Sequence, residues 1–415
     1  MKDTEIQLNE KNITLRLIAF AVAFLVAVVA FTHGLTNLGS KGAGLQTVDA
    51  LPDEETPLYA ANVTLTYAFT GSASENREQM NLLKRAYSSI LKRSYILLDA
   101  EQSYENYVNL ATLNAAPGQA VDVGEELFGI LTDACVKTGE GRGYNMFAGA
   151  LYAEWNSILI LDEPEDFDPL NNAEERTRIA RLAEMTNDLS HFRLEVVDAS
   201  RHTVRLDVSG DYRALLNEYE LDAPVVDLNL LHDAYELQLI ADALAAQGYE
   251  NGYLTSSSGL TLALPGYASG EYCLYGLDGE EITPAATAAV EAGSAFSQFR
   301  SFAHYAGEYS FYTVSDGGRS YFRHPYLPAF GDYPNVIASS CALSDKGNAV
   351  GACYANICLG GCRSAADAAE FVQSVTDIAI GYTLQDEQEK TVYANAEGIK
   401  QLTAADYGYR VAPAL

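Results

Sequence analysis

Residues 17–31 carry no charged side chain, and no Lys, Arg, Asp or Glu recurs until Lys41. A run of this kind partitions into lipid, so it divides the chain into a short leading tail and a large remainder. The strictly apolar part is short for a span, and extension through Leu35 and Leu38 supplies the length; we expect a transmembrane anchor over residues 17–38 behind a tail of residues 1–16. Lys2, Lys11 and Arg16 precede the run while only Lys41 follows closely, a bias that keeps the tail cytoplasmic and sends the rest across. A cleaved secretory signal competes with the anchor, but no clean small-x-small cleavage triplet follows the run. With no cysteine nearby, a lipid-modified N-terminus has no support.

The remainder is acidic and globular in composition. Of 415 residues, 26 are Lys or Arg and 56 are Asp or Glu, a formal charge of −30, and 48% are hydrophobic. Such a surface repels phosphate backbones, which excludes nucleic acid as a partner. Residues 39–57 are rich in Gly, Ser, Thr and acids and contain Pro52 and Pro57, so a tether is expected there, with the folded part over 58–415. Alternation over 61–69, with Val63, Leu65 and Tyr67 on one side, predicts a first strand. A helix over 74–99 follows, with Leu82, Leu83, Ala86, Ile90 and Leu97 as its apolar positions. Further helices are expected over 124–137, 233–247 and 365–380, and two strands over 193–209 around a turn at 199–202. Short strands are expected at 253–264, 272–277, 308–314, 319–322 and 335–342. This mixed order predicts an α+β fold rather than a doubly wound sheet.

General chemical motifs are sparse. There is no phosphate-cradling Gly-rich loop ending in Gly-Lys-Ser/Thr, no His-Glu-x-x-His and no Cys-x-x-Cys. Ser89-Ile90-Leu91-Lys92 matches the Ser-x-x-Lys of penicillin-recognising enzymes, but it lies inside the 74–99 helix without the companion triplets, and we read it as chance. The six histidines show no metal-ligand spacing. Cys341, Cys353, Cys358 and Cys362 crowd the last third of the chain; free buried thiols rank ahead of a disulfide, and a metal or iron–sulfur centre comes last.

Five separated segments, taken in order, resemble the FAD:protein FMN transferase (ApbE-like) family from about residue 63 to 380. Leu98-Asp99, Ser103 and Leu113-Asn114 are similar to its early Leu-Asp, Ser and Leu-Asn signature. Residues 138–151 with Trp155 resemble its Thr-x-Gly-x-Phe-Asp-Pro-Thr-x-Gly-Pro-Leu-x-x-x-Trp block, and Val226-Asp227-Leu228 through Tyr235 its Asp-Leu-Gly-Gly-x-x-Lys-Gly-Tyr helix. Ala306-Gly307-Glu308-Tyr309 resembles Ser-Gly-Asp-Tyr, and His324 to Pro328 with Gly331 keeps the spacing of His-Ile-Ile-Asp-Pro-x-Thr-Gly.

The resemblance implies an ApbE-like (T-fold-type) domain of mixed sheets with packed helices over 58–415. It further implies an extracytoplasmic protein that binds FAD and, with Mg²⁺, transfers FMN to a Ser or Thr of an acceptor flavoprotein. By the same resemblance the cofactor-binding positions are Asn145, Asp227, Tyr235, Gly307, Tyr309 and His324, and the metal position is Asn348; the catalytic residues are left unassigned. Trp155, Pro328 and Gly331 are retained pocket-shaping positions, for which packing or turn geometry is an equal reading. The chemistry needs hard oxygens on a divalent cation, and the chain departs from the pattern where they are needed. The late Asp-x-x-x-Thr pair falls on Asn348 and Ala352, the block Asp and Thr on Asn145 and Phe147, and the His-motif Asp and Thr on Leu327 and Phe330. The helix Lys is Asp233, and the two glycines before it are Asn229 and Leu230. Transfer activity is therefore expected to be weak or lost. The alternatives are a non-catalytic flavin-binding or protein-interaction module at the membrane surface and, last, a tethered redox protein using the C-terminal cysteines.

Overall fold

The computed structural model describes residues 43–53, 56, 62–278, 281–301, 312–316, 319–385, 390–395, 399–401 and 408–413. The expected tail and membrane anchor lie outside the described residues. Among those that are described, no helix is long and apolar enough to cross a membrane.

The fold begins earlier than the sequence pattern predicts. Gly44–Val48 (β1) pairs antiparallel with Val63–Phe69 (β2), so the expected tether contains a sheet edge. Leu51 N–H donates to Ser88 Oγ at 2.7 Å, and Lys92 Nζ sits 3.0 Å from both carboxylate oxygens of Asp53. That ion pair gives Lys92 of the Ser-x-x-Lys match a structural use. Gly44, Gln46 and Thr47 hid the strand, because this edge strand buries only Val48 fully. The alternation of β2 is as expected, with Val63, Leu65, Tyr67 and Phe69 buried.

The helix Ala73–Leu98 (α1) starts at a capping box in which Ser72 and Glu75 satisfy each other's backbone donors. Its core stripe is Leu83, Tyr87, Ile90 and Leu91, while Leu82 is exposed, one position off the expected stripe. After Leu110–Asn114 (α2) and Ala120–Asp122 (β3) come Gly124–Gly139 (α3), Gly149–Leu159 (α4) and Ala173–Asn187 (α5). Phe192–Asp198 (β4) and Thr203–Val208 (β5) form the expected hairpin, which with β3 makes a three-stranded sheet. Its turn places His202 at φ +51. Gly210–Glu218 (α6) leads to His232–Ala246 (α7), which packs on α1.

The second half builds most of the main sheet. Gly252–Ser256 (β6), Leu260–Ala263 (β7), Gly270–Asp278 (β8), Glu281–Val290 (β9), Ala295–Arg300 (β10), Tyr312–Asp316 (β11), Arg319–Arg323 (β12) and Ile337–Ser344 (β13) precede Ala349–Gly360 (α8) and Ala365–Ser374 (α9). Ala379–Leu384 (β14), Thr391–Ala394 (β15), Ile399–Gln401 (β16) and Arg410–Pro413 (β17) end the fold. The nine-stranded order is β1-β2-β6-β7-β10-β13-β14-β15-β17, antiparallel except for the β15–β17 pair. A small sheet β16-β9-β8 packs Leu274, Ala286 and Ala288 on one flank, against Phe296, Cys341 and Val392 of the main sheet. Helix α8 covers β10 and β13. The helix expected over 365–380 stops at Ser374, and the β-prone residues after it begin β14.

Candidate functional site

The separated sequence blocks are tied together by buried polar contacts. Asn114 grips the backbone of Val226 twice: its Nδ2 donates to the Val226 carbonyl at 2.8 Å, and its Oδ1 accepts the Val226 N–H at 2.8 Å. Asp227 N–H donates to Met146 O at 2.9 Å, and Asn229 Nδ2 reaches Asn145 O at 3.4 Å. From α4, Trp155 Nε1 donates to His324 O at 3.0 Å and Tyr152 OH to Leu327 O at 2.6 Å. Ala329 N–H closes the group on Gly143 O at 2.8 Å. Four of the five blocks thus converge, while Gly307 and Tyr309 of the fifth lie outside the described residues.

A cavity of about 40 Å³ opens where Leu230, His324, Pro328 and one face of α8 meet. Helix α8 contributes Cys353, Asn356, Ile357 and Gly360, which at 100° per residue share one side of the helix. His324 is 2% exposed and ringed by Phe299, Tyr326 and Tyr333 at centroid distances of 5.4, 5.7 and 4.9 Å. Its Nδ1 accepts the Tyr326 N–H at 3.1 Å, which fixes the ring plane. No Asp, Glu, Lys or Arg lies among the described residues that line this cavity.

Comparison with solved structures aligns the ApbE protein of Thermotoga maritima over 84% of this chain and 96% of its own, at 13% identity and a TM-score of 0.52. The flavin transferase ApbE of Vibrio cholerae aligns over 85% and 97%, at 14% identity and a TM-score of 0.52. The chain has the ApbE fold. No protein-family model matches its sequence, and no curated protein does.

Within this ApbE fold the expected site residues take two kinds of position. His324 and Pro328 line the cavity. Asn145 is buried and spent on structure: its Oδ1 accepts the Phe147 N–H at 2.9 Å, and its Nδ2 donates to Thr186 O at 2.9 Å. Asp227 is half-buried and accepts the Asn229 N–H at 2.9 Å; burial raises its carboxyl above the usual range. Tyr235 OH donates to Asp133 Oδ2 at 2.6 Å, and Asp133 also holds Lys137 at 2.5 Å. Tyr144, its hydroxyl buried with no partner among the described residues, completes this polar patch beside Cys353. The sequence reading passed over Asp133, Lys137 and Tyr144. The first two sit on the polar face of an amphipathic helix, and Tyr144 is one aromatic among many.

The substituted positions are filled by packing. Asn229, at the first glycine position of the ApbE pattern, sits at φ +48, a left-handed conformation that Asn tolerates better than most side chains. Leu230, at the second, puts a side chain into the cavity wall. Phe147 stacks on Phe192 at 4.7 Å with the planes 4° apart, Leu327 is buried, and Phe330 lies under the Arg363 guanidinium at 5.1 Å. Gly331 is retained for a geometric reason: at φ +79 a Cβ would stand 2.7 Å from Ala183 Cβ.

The residues at the expected metal position do not fit Mg²⁺. Asn348, the expected metal position, is exposed and does not line the cavity; its Oδ1 caps α8 by accepting the Gly351 N–H at 2.7 Å. Ala352 is buried and brings no oxygen. Among the described residues no group of three or more His, Cys, Asp or Glu side chains is gathered as a cation would need. All six cysteines are free thiols. Burial pushes Cys341, Cys353, Cys358 and Cys362 up to about 12, which keeps them protonated.

Proposed function

We propose that the chain is a membrane-anchored, extracytoplasmic ApbE-like protein in which Mg²⁺-dependent transfer of FMN from FAD to a Ser or Thr of an acceptor protein is weak or lost. One observation carries the loss of transfer: Asn348, at the expected metal position, spends its side-chain oxygen on capping α8, and the buried Ala352 brings no oxygen. Phosphoryl transfer relies on electrostatic stabilisation of the phosphate oxygens, and losing one well-placed group costs on the order of 10²- to 10³-fold in rate. Asp233, only 13% exposed in its side chain, adds a negative charge where the transferase pattern has Lys.

The test incubates membranes carrying the full-length chain with FAD, Mg²⁺ and a Thr-containing acceptor peptide. Mass spectrometry reads both the FMN increment on the peptide and the N-terminal peptide of the protein. The expected outcome is an intact N-terminus with no increment above background. Robust turnover would overturn the loss of activity, and a mature N-terminus beyond residue 31 would overturn the anchor.

A further inference from the structure

Strand β4 is a sheet edge. It pairs with β5 alone, and among the described residues no backbone hydrogen bond from elsewhere reaches 193–197. Edges usually carry a guard against pairing with another chain, such as Lys, Pro or a bulge. Strand β4 has no Lys and no Pro, and its one irregularity of register falls at Val197, near the end. Val196 and Val197 are 45% and 47% exposed.

The charges on its outer face form a chequerboard. Glu195 accepts from Arg205 Nη2 at 2.5 Å across the hairpin, and Arg205 Nε reaches Asp207 at 3.3 Å. Arg193 stands opposite Asp207 and 3.6 Å from Glu195. Each charge thus has the opposite sign beside it, along the strand and across it. Arg193 and Glu195 border the open side, their side chains 68% and 30% exposed. The other face is apolar, with Phe192, Leu194 and Val196.

We propose that β4 pairs antiparallel with β4 of a second copy about a two-fold axis at Leu194, joining two three-stranded sheets into one of six. The charges select both the occupant and the register, because a strand reading plus, apolar, minus is its own complement about the middle residue. Arg193 then faces the partner's Glu195, and Glu195 faces the partner's Arg193, which continues the chequerboard across the seam. An axis at Glu195 would set two glutamates against each other, and an axis at Arg193 two arginines. On the apolar face Leu194 meets the partner's Leu194, and the exposed Val196 gains the partner's Phe192. The bulge at Val197 lies beyond these pairs. A seam of residues 192–196 is small beside a standard interface, so the dimer is weak and reversible.

The test reads register and charge separately on the full-length chain in detergent. None of the six native cysteines is exposed, so the unmodified chain is the blank for oxidation with copper phenanthroline. Directly opposed residues of an antiparallel pair have Cα atoms about 4.5–5.5 Å apart, within disulfide reach, and a two-residue offset exceeds the limit of about 7 Å. Leu194→Cys should therefore cross-link to a dimer, in a yield that rises with protein concentration, while Glu195→Cys stays monomeric. Sedimentation equilibrium of the chain with its native β4 should show a reversible monomer–dimer exchange, and Arg193→Glu, which turns both seam pairs repulsive, should weaken it about tenfold. A monomer at every concentration, cross-linking through Glu195→Cys as good as through Leu194→Cys, or a dimer indifferent to Arg193→Glu would each overturn the proposal.

Discussion

Leu230 and Glu236 lie two helical turns apart and show how single side chains reset a site. At the glycine position of the resembled pattern, the Leu230 isobutyl group enters the wall of the small cavity, and a volume change of that kind acts whatever the local charge. Glu236 is 1% exposed, with Ser94 Oγ donating to it at 3.5 Å. Burial pushes its carboxyl up to about 7, against some relief from His232. His232 itself is opposed by burial but held at about 9 by Asp233 and Glu236. A carboxyl raised above its unfolded value of 4.5 stabilises the fold fully below that value, and the contribution is lost as pH rises through 7. Stability should therefore fall between pH 4.5 and 7 by an amount on the order of 2–3 kcal/mol. Glu236→Gln should flatten that part of the profile, as read from urea midpoints against pH. An unchanged slope in the variant would show that another group titrates.

Helix α8 links the cavity to the sheet through one buried amide. Asn356 Oδ1 accepts from Ser340 Oγ at 2.8 Å, and its Nδ2 donates to Ser297 Oγ at 2.7 Å, joining the helix to β13 and β10. Asn356→Ala leaves both hydroxyls buried without this partner, and the expected loss is about 2–4 kcal/mol in urea unfolding. A loss below about 1 kcal/mol would mean that the two serines find other partners. This helix also marks where sequence reading stopped. Its residues are buried almost all round, so no polar stripe gave a 3.6-residue period, and the same holds for α4. The amphipathic α1, α3 and α7 and the alternating β2, β4 and β5 were legible because each has a wet face. The site divided in the same way. The family resemblance pointed to His324 and Pro328, which line the small cavity, but nothing in the sequence announced that Asn145 and Asn348 spend their side chains on turn and cap bonds. The Asp133–Tyr235–Lys137 contacts needed the fold to bring α3 and α7 together.

At the scale of the whole molecule the main sheet is assembled out of chain order. Strand β2 has β1 on one side, but its other neighbour is β6, with Leu65 opposite Leu254. Every element from α1 to α7 is inserted between the two halves of that pair. The α+β class was legible from the mixed order of elements, whereas this long-range pairing was not, because no local pattern encodes which distant strand an edge will meet. A chain ending after Gly248 keeps β1 to β5 and seven helices yet lacks seven of the nine strands of the main sheet, and it should show no cooperative urea transition. A sharp transition in that fragment would reveal an N-terminal half that folds alone. The pairing also sets a clock. At about 5–20 residues per second, the roughly 180 residues between β2 and β6 occupy about ten to forty seconds of synthesis. Throughout that time a freshly made hairpin presents bare amide and carbonyl groups to every other nascent chain nearby, so the yield of this protein in a cell should depend on how well that edge is shielded while it waits.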